Sequence, residues 1–337
     1  MTAKFLSRGS GSATITLDQD VTLNRMELGG VAYSIVPGAT SKSITFAGTN
    51  ARSFDVTGGN HVIGVPVVMS KSADVSVVAG ASLRIDNVLT ATGKVVTKVG
   101  AGTLELRKQQ GGGLVASEGT TRFISDGDVT RLSSLSIAAT GATLDLGPST
   151  VIVDGVSSYA TLKADILAGR IMTSSTDPRG AVGYAKASDV LGGTFPTLFA
   201  GETISADSVL LRYTFRGDIN LDRTVNFIDL LTLANHYGQP GDWYAGDFTG
   251  DGQVNFADLL QLAQSYGASV PTALSASFEF ALSQWVIPEP SLLSTLGLTT
   301  LVLRRRAGTR ALGEPRSAQR TQSSQREFIQ VREVVLI

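Results

Sequence analysis

Cysteine is absent from the 337 residues, which removes disulfides, thiol nucleophiles and cysteine-ligated zinc together. Histidine is almost absent: His61 and His236 are the only two, read as a strand-surface and a helix-surface residue. Neither a Ser-His-Asp arrangement nor an HExxH zinc site can be assembled, so the chain is read as non-catalytic. Net charge is −1, so nothing overall points to a nucleic acid or an acidic substrate. Residues 1–11 (MTAKFLSRGSG) hold no apolar core of a signal peptide. The composition that remains, 42% hydrophobic with 37 glycines, supports a packed core with a strand-and-turn surface.

One unit is written twice. GDINLDRTVNFIDLLTLANHYG at 217–238 and GDFTGDGQVNFADLLQLAQSYG at 246–267 share 13 of 22 positions, with Asp218 and Asp247 29 residues apart. Such repetition marks a duplicated supersecondary unit. Each copy opens with side-chain oxygens at positions 1, 3, 5, 9 and 12 of a twelve-residue loop. These are Asp218, Asn220, Asp222, Asn226 and Asp229 in loop one, and Asp247, Thr249, Asp251, Asn255 and Asp258 in loop two. A hard cation such as Ca²⁺ takes about six to eight oxygen ligands, and this spacing wraps one loop around one ion. Thr224 and Gln253, at position 7, would add backbone carbonyls, so two ions are expected. Val225 and Val254 follow as apolar pins expected to pair the loops back to back. A helix comes next in each copy. Leu230, Leu231, Leu233, Ala234 and Tyr237 form one apolar face, as do Leu259, Leu260, Leu262, Ala263 and Tyr266. Gly238 and Gly267 stand where helix C-caps belong.

The loops resemble the EF-hand pattern, except that position 12 is Asp and no helix precedes either loop. A duplicated loop-then-helix unit of this kind resembles a type I dockerin over about 55 residues. The resemblance implies Ca²⁺-dependent folding and binding of a cohesin-like partner. It also implies that positions 10 and 11, here Phe227-Ile228 and Phe256-Ala257, read that partner. These pairs depart from the small hydroxyl residues usual there. Position 6 of loop one is Arg223 rather than Gly, against Gly252 in loop two, so site one is expected to be the weaker.

Residues 12–155 are Thr, Val, Ser, Gly and Ala in short strand-like runs. Centres at Leu23, Ile44, Ile63, Leu83, Leu104, Phe123 and Leu144 recur with a period near 20. That period, with Gly corners, fits the coils of a parallel β-helix. A leucine-rich repeat lacks its frame here, and a β-sandwich would place strands every 8–12 residues. VVTKVGAGTLEL (95–106) resembles the autotransporter-associated β-strand repeat, which implies a right-handed β-helix at or beyond the cell surface. The acids are scattered. Glu105 and Asp145 alone share a strand face, two coils or about 10 Å apart. Asp126 and Asp128 read as a solvated turn.

Residues 156–215 form an α/β junction, with an amphipathic helix at 157–170 carrying Leu162, Ile166 and Leu167 on one side. A strand, 208–215, runs directly into the repeated unit (216–268), without a Pro- or Ser-rich linker. That continuity predicts a module packed on the β-domain, possessing either a capping or a partner-binding role. Next come Pro288-Glu289-Pro290, the apolar run 291–303 and Arg304-Arg305-Arg306. At thirteen residues the run is short of the roughly 20 a span needs. Residues 286–306 resemble a PEP-CTERM sorting signal. The resemblance implies export, transient membrane association and processing by an exosortase in a Gram-negative-type envelope. Export with no leader in residues 1–11 is expected to need an upstream start or another route. The tail 307–337 reads as disordered and basic.

The expectation is a mainly β protein: a β-helix followed by a small all-α, EF-hand-type calcium module. Its function is Ca²⁺-dependent assembly or display at the cell surface, with a link to polysaccharide breakdown. A purely structural calcium cap on a β-helix adhesin is one alternative. A β-helix carbohydrate-active enzyme bearing a dockerin is the other.

Overall fold

Each coil of the β-domain presents three strand faces, and seven coils stack in parallel register. The computed structural model describes residues 1–6, 11–155 and 158–271. Pro288, Glu289, Pro290, the run 291–303, Arg304 to Arg306 and the tail 307–337 lie outside the described residues. One face of the solenoid runs from Thr2–Leu6 through Arg25–Gly29, Arg52–Val56, Ala73–Val77, Val95–Val99 and Gly113–Ala116 to Ser134–Ile137. A second runs from Ser12–Leu17 to Ala142–Asp145, and a third from Val21–Leu23 to Thr150–Val153. In coils four and five a single long strand, Ser82–Thr90 or Thr103–Gln110, serves both the second and third faces.

The near-20 period is an average. In-register neighbours on the second face are 28 residues apart at Ser34 and Val62 but 17 apart at Leu104 and Thr121. The centres Leu23 and Ile44 lie on the third face, whereas Ile63, Leu83 and Leu104 lie on the second. Corners absorb the difference in length, because only the inward residues and the backbone ladder must repeat. Inward side chains fill the coil: Leu83 and Leu104 are register partners with no exposed surface, and the Phe46 and Phe54 rings meet at 4.6 Å. Burying each such side chain stabilises the fold by about 1.5–3 kcal/mol.

Two polar residues enter this interior. Lys98, the lysine of the TKVGAGTLEL run, is fully buried, and its Nζ donates to the carbonyls of Val99, Gly100 and Glu118. Burial lowers its pKa to about 8, against the opposing Glu118 charge. Beside it, Gly102 has no room for a side chain: a Cβ would sit 2.2 Å from the Val78 carbonyl. His61, expected on a strand surface, is 1% exposed. Its ring stacks on Tyr33, Nδ1 accepts the Tyr33 N–H at 3.1 Å, and Nε2 lies 2.7 Å from the Gly58 oxygen. Burial holds its pKa below the ordinary value, the Gly58 contact opposing. His236 is a half-buried helix residue whose Nδ1 lies 2.8 Å from the Thr232 oxygen.

The parallel stacking ends at the junction. Ile171–Met172 adds a last parallel strand to the second face. On the third face Val209–Phe215 pairs antiparallel with Thr150–Val153, and Gly180–Lys186 pairs antiparallel with it in turn. Helix α1 (Tyr159–Leu167) buries Leu162, but Leu167 is 49% exposed and does not share that buried face. A one-turn helix α2 (Ala187–Val190) follows. The strand Val209–Phe215 then leads through Arg216 straight into the duplicated unit.

Candidate metal centre

Helices α3 (Phe227–His236) and α4 (Phe256–Ser265) begin at the ends of the two loops, and the loops themselves start them. Asn226 is the N-cap of α3: its Oδ1 accepts the Ile228 N–H, while Asp229 accepts the Asn226 N–H. Asn255 and Asp258 repeat this capping box on α4. Positions 9 and 12 therefore have a structural role besides any ligand role. Gly238 and Gly267 follow the C-caps at φ 77° and 79°, as expected.

Not all the helical apolar residues face inward. Leu233 and Leu262 are 1% exposed, whereas Leu231, Tyr237, Leu260 and Tyr266 are 46–51% exposed. The single apolar face splits in two: Leu230 and Leu233 pack inward, and Leu231 and Tyr237 stand outside, with the same division in α4. The pins are buried but do not pair the loops back to back. Val225 exchanges backbone hydrogen bonds with Gly267 and Ala268 beyond α4, and Val254 with Gly238 and Gln239 beyond α3. Each loop is strapped by the chain that leaves the other unit's helix. The glycines opening the units repeat the exchange. A Cβ on Gly217 would meet Leu262 of α4, and one on Gly246 would meet Leu233 of α3.

Inside each loop the acids brace the backbone. Asp218 accepts the N–H groups of Asp222 and Arg223 and the Thr214 hydroxyl. Asp247 accepts those of Gly250 and Gly252. Asp222 and Asp251 take the N–H groups of Thr224 and Gln253, while Asp229 and Asp258 reach back to Ile219 and Phe248. Asn220 Oδ1 accepts the Asp222 N–H, and the Thr249 hydroxyl donates to Asp247.

Among the described residues no group of three or more Asp, Glu, His or Cys side chains converges as a metal-holding cluster. The donor set nevertheless fits a hard cation. Asp218, Asp229, Asp247 and Asp258 are at most 2% exposed, and among the described residues no loop aspartate forms a salt bridge. Buried carboxylates without counter-charge are costly, and a divalent ion among their oxygens supplies that charge. Burial pushes the Asp218 carboxyl up to about 7; hydrogen bonds from Thr214 and Arg223 work against the rise, and the Asp222 and Asp229 charges add to it. Burial likewise raises Asp229. Loop one would hold its ion through Asp218, Asn220, Asp222, Thr224, Asn226 and Asp229. Loop two would use Asp247, Thr249, Asp251, Gln253, Asn255 and Asp258.

Sequence reasoning missed the residues that join this module to the solenoid. Trp243, between the two units, is 4% exposed, packs on Tyr184 and Phe248, and donates Nε1–H to the Asp218 carbonyl at 2.7 Å. Asp242 accepts hydrogen bonds from Tyr159 and Lys163 of α1. Arg212, on the junction strand, donates to the Leu221 carbonyl at 2.6 Å. Arg223 reaches Asp126 and the Pro148 carbonyl, at 3.0 and 2.9 Å. The turn holding Asp126 and Asp128 is accordingly not merely solvated, since Asp128 also pairs with Arg107 at 2.8 Å. A tryptophan between two loops was the one sequence signal available, because Trp occurs only twice.

The carboxylates Glu105 and Asp145 flank Arg122 in register on successive coils. The guanidinium lies 2.6 Å from Asp145 and 3.6 Å from Glu105. Burial opposes ionisation of Asp145, but hydrogen bonds from Gly147, Ser174 and Arg122 outweigh it and lower the pKa. A carboxyl held as an anion in this way is poorly suited to act as a general acid.

The exposed side of the module carries Phe227 (60%), Ile228 (56%) and Phe256 (66%), with Ala257 also exposed. Among the described residues no helix is long and apolar enough to cross a membrane. Residues 216–266 match the family model of the dockerin type I domain. Neither the curated proteins nor the solved structures contain a match to the chain.

Proposed function

We propose that this chain is an exported, non-catalytic surface protein whose dockerin-like module assembles with a cohesin-like domain when Ca²⁺ is bound. The match over 216–266 supports Ca²⁺-dependent protein–protein assembly. One observation carries the reading to this chain: loop one and Trp243 pack on the solenoid end, while apolar side chains of both helices face solvent. Phe227 and Ile228 on α3 and Phe256 on α4 are all more than half exposed. Exposed aromatic groups at repeated positions are typical anchors of a protein interface. The motif at 286–306 supports export, exosortase processing and transient membrane association through 291–303. A Gram-negative-type outer envelope and a role beside polysaccharide-degrading complexes complete the proposal.

Titration of the full chain against a panel of cohesin domains, with Ca²⁺ and with chelator, tests it. Binding that requires Ca²⁺ and is lost in the Phe227→Ser/Phe256→Ser double variant is the expected result. Failure of every cohesin to bind the Ca²⁺-loaded chain would count against assembly. It would favour a second reading, in which the module only caps the solenoid, supported by the burial of Trp243, Leu221 and Arg223. Hydrolysis or cleavage of a polysaccharide, abolished by changing Glu105 or Asp145, would instead support an enzyme.

A further inference from the structure

The two loops differ most at positions 4 and 6, and both differences point at the solenoid. Loop two has Gly250 and Gly252 there, at φ 76° and 85°, a conformation glycine adopts freely. Loop one has Leu221 and Arg223 at φ 60° and 73°. A left-handed backbone at a non-glycine residue is disfavoured and persists only where surroundings hold it. Here both side chains are buried against the solenoid and its junction. Leu221 is fully covered, close enough to the Gly183 strand that a Cβ on Gly183 would lie 2.5 Å from its Cδ2. Arg223 is 4% exposed and ends on Asp126 and the Pro148 carbonyl, in the corners of the last two coils.

The same two residues are wired into the ion site. The Arg223 N–H donates to Asp218 Oδ2 at 2.8 Å, so the backbone that orients the guanidinium is held by the first loop ligand. The carbonyl of Leu221 is held by Arg212 from the junction strand. Charge adds a further link. The three carboxylates of loop one would be matched by a divalent cation together with the Arg212 guanidinium, which is repelled by Arg223 and attracted by Asp218 and Asp222. Without the cation, like charges press on a loop whose left-handed residues are held by docking and by the hydrogen bonds of those same carboxylates.

We infer that loop one is a latch: Ca²⁺ binding there and docking of the module on the last coils are coupled through Leu221 and Arg223. The inference rests on the calcium reading above. Arg223 is a positioning residue that touches no ion. Because coupling is reciprocal, loosening the solenoid contact must also weaken Ca²⁺ at loop one.

The test is amide hydrogen exchange on the full chain, with Ca²⁺ or chelator, beside calorimetric Ca²⁺ titration. Exchange in 123–128 and 146–153 reports local opening of the solenoid end. In the unaltered chain Ca²⁺ slows exchange there by about fivefold or more. Arg223→Gly, which suits the backbone of position 6, keeps two bound ions but loses most of that protection. Asp126→Asn, which leaves the loop sequence intact, lowers protection and weakens one of the two ions while sparing the other. Two bound ions with no Ca²⁺ effect on these segments would overturn the coupling alone. Variants indistinguishable from the parent would do the same. No bound ion in calorimetry would overturn the calcium reading and the latch together.

Discussion

Two repeats stand side by side in this chain, and they have drifted to different extents. The solenoid coils share little beyond inward apolar positions, with register offsets between 17 and 28 residues. The two loop–helix units keep 13 of 22 positions identical. The difference lies in what specifies each repeat. A coil is held by backbone hydrogen bonds to its neighbours, which any residue supplies, and by interior volume, which several apolar residues fill. A loop is held by individual side-chain oxygens, each accepting a particular N–H or facing the ion position. One such oxygen has few substitutes.

The comparison breaks most clearly under chelation. Removing Ca²⁺ is expected to melt the module and leave the solenoid, read as loss of helical circular dichroism with the β signal retained. At 100 times the dissociation constant each ion contributes about 2.7 kcal/mol, so the loss is large. Trp243→Ala comes next, with an expected cost of about 3–5 kcal/mol in denaturant unfolding, because the ring is buried between solenoid and loop. A matched pair sharpens the contrast further. Leu104→Ile, a volume-conserving change in a coil, should cost less than about 1.5 kcal/mol. Asp258→Asn, of the same size, should remove one bound ion in calorimetry although its neighbours are untouched. A last contrast is a pH dependence within the coils. Lys98 has its pKa lowered from 10.5 to about 8 in the fold, so the folded chain binds fewer protons between these values. Stability from this group is present above 10.5 and is lost as pH falls through about 8. Unfolding measured across that window in Lys98→Met should lack this slope.

Much of the site was open to reading because its information is local. A twelve-residue loop places its own oxygens, and a capping box lies within four residues, so Asp218 to Asp229 and Asp247 to Asp258 carry their geometry in their spacing. The pairs at positions 10 and 11 were named through the dockerin resemblance, and their exposure is a fact of the fold. Helix orientation was not open to reading either, since Leu231 and Tyr237 are as apolar as Leu230 and Leu233, and only the packed neighbour decides which are covered.

Sequence by itself determined the repeat architecture: parallel coils near twenty residues long, then two loop–helix units with oxygens where a hard cation needs them. Period, polarity and turn residues act over a few neighbouring positions, so they can be read along the chain. Tertiary structure decided how the loops close, each strapped by the segment beyond the opposite helix, and why loop one carries Leu221 and Arg223 where loop two has glycine. Those side chains are explained only by Gly183, Asp126 and Pro148, tens of residues earlier, which the winding of the solenoid alone brings into reach.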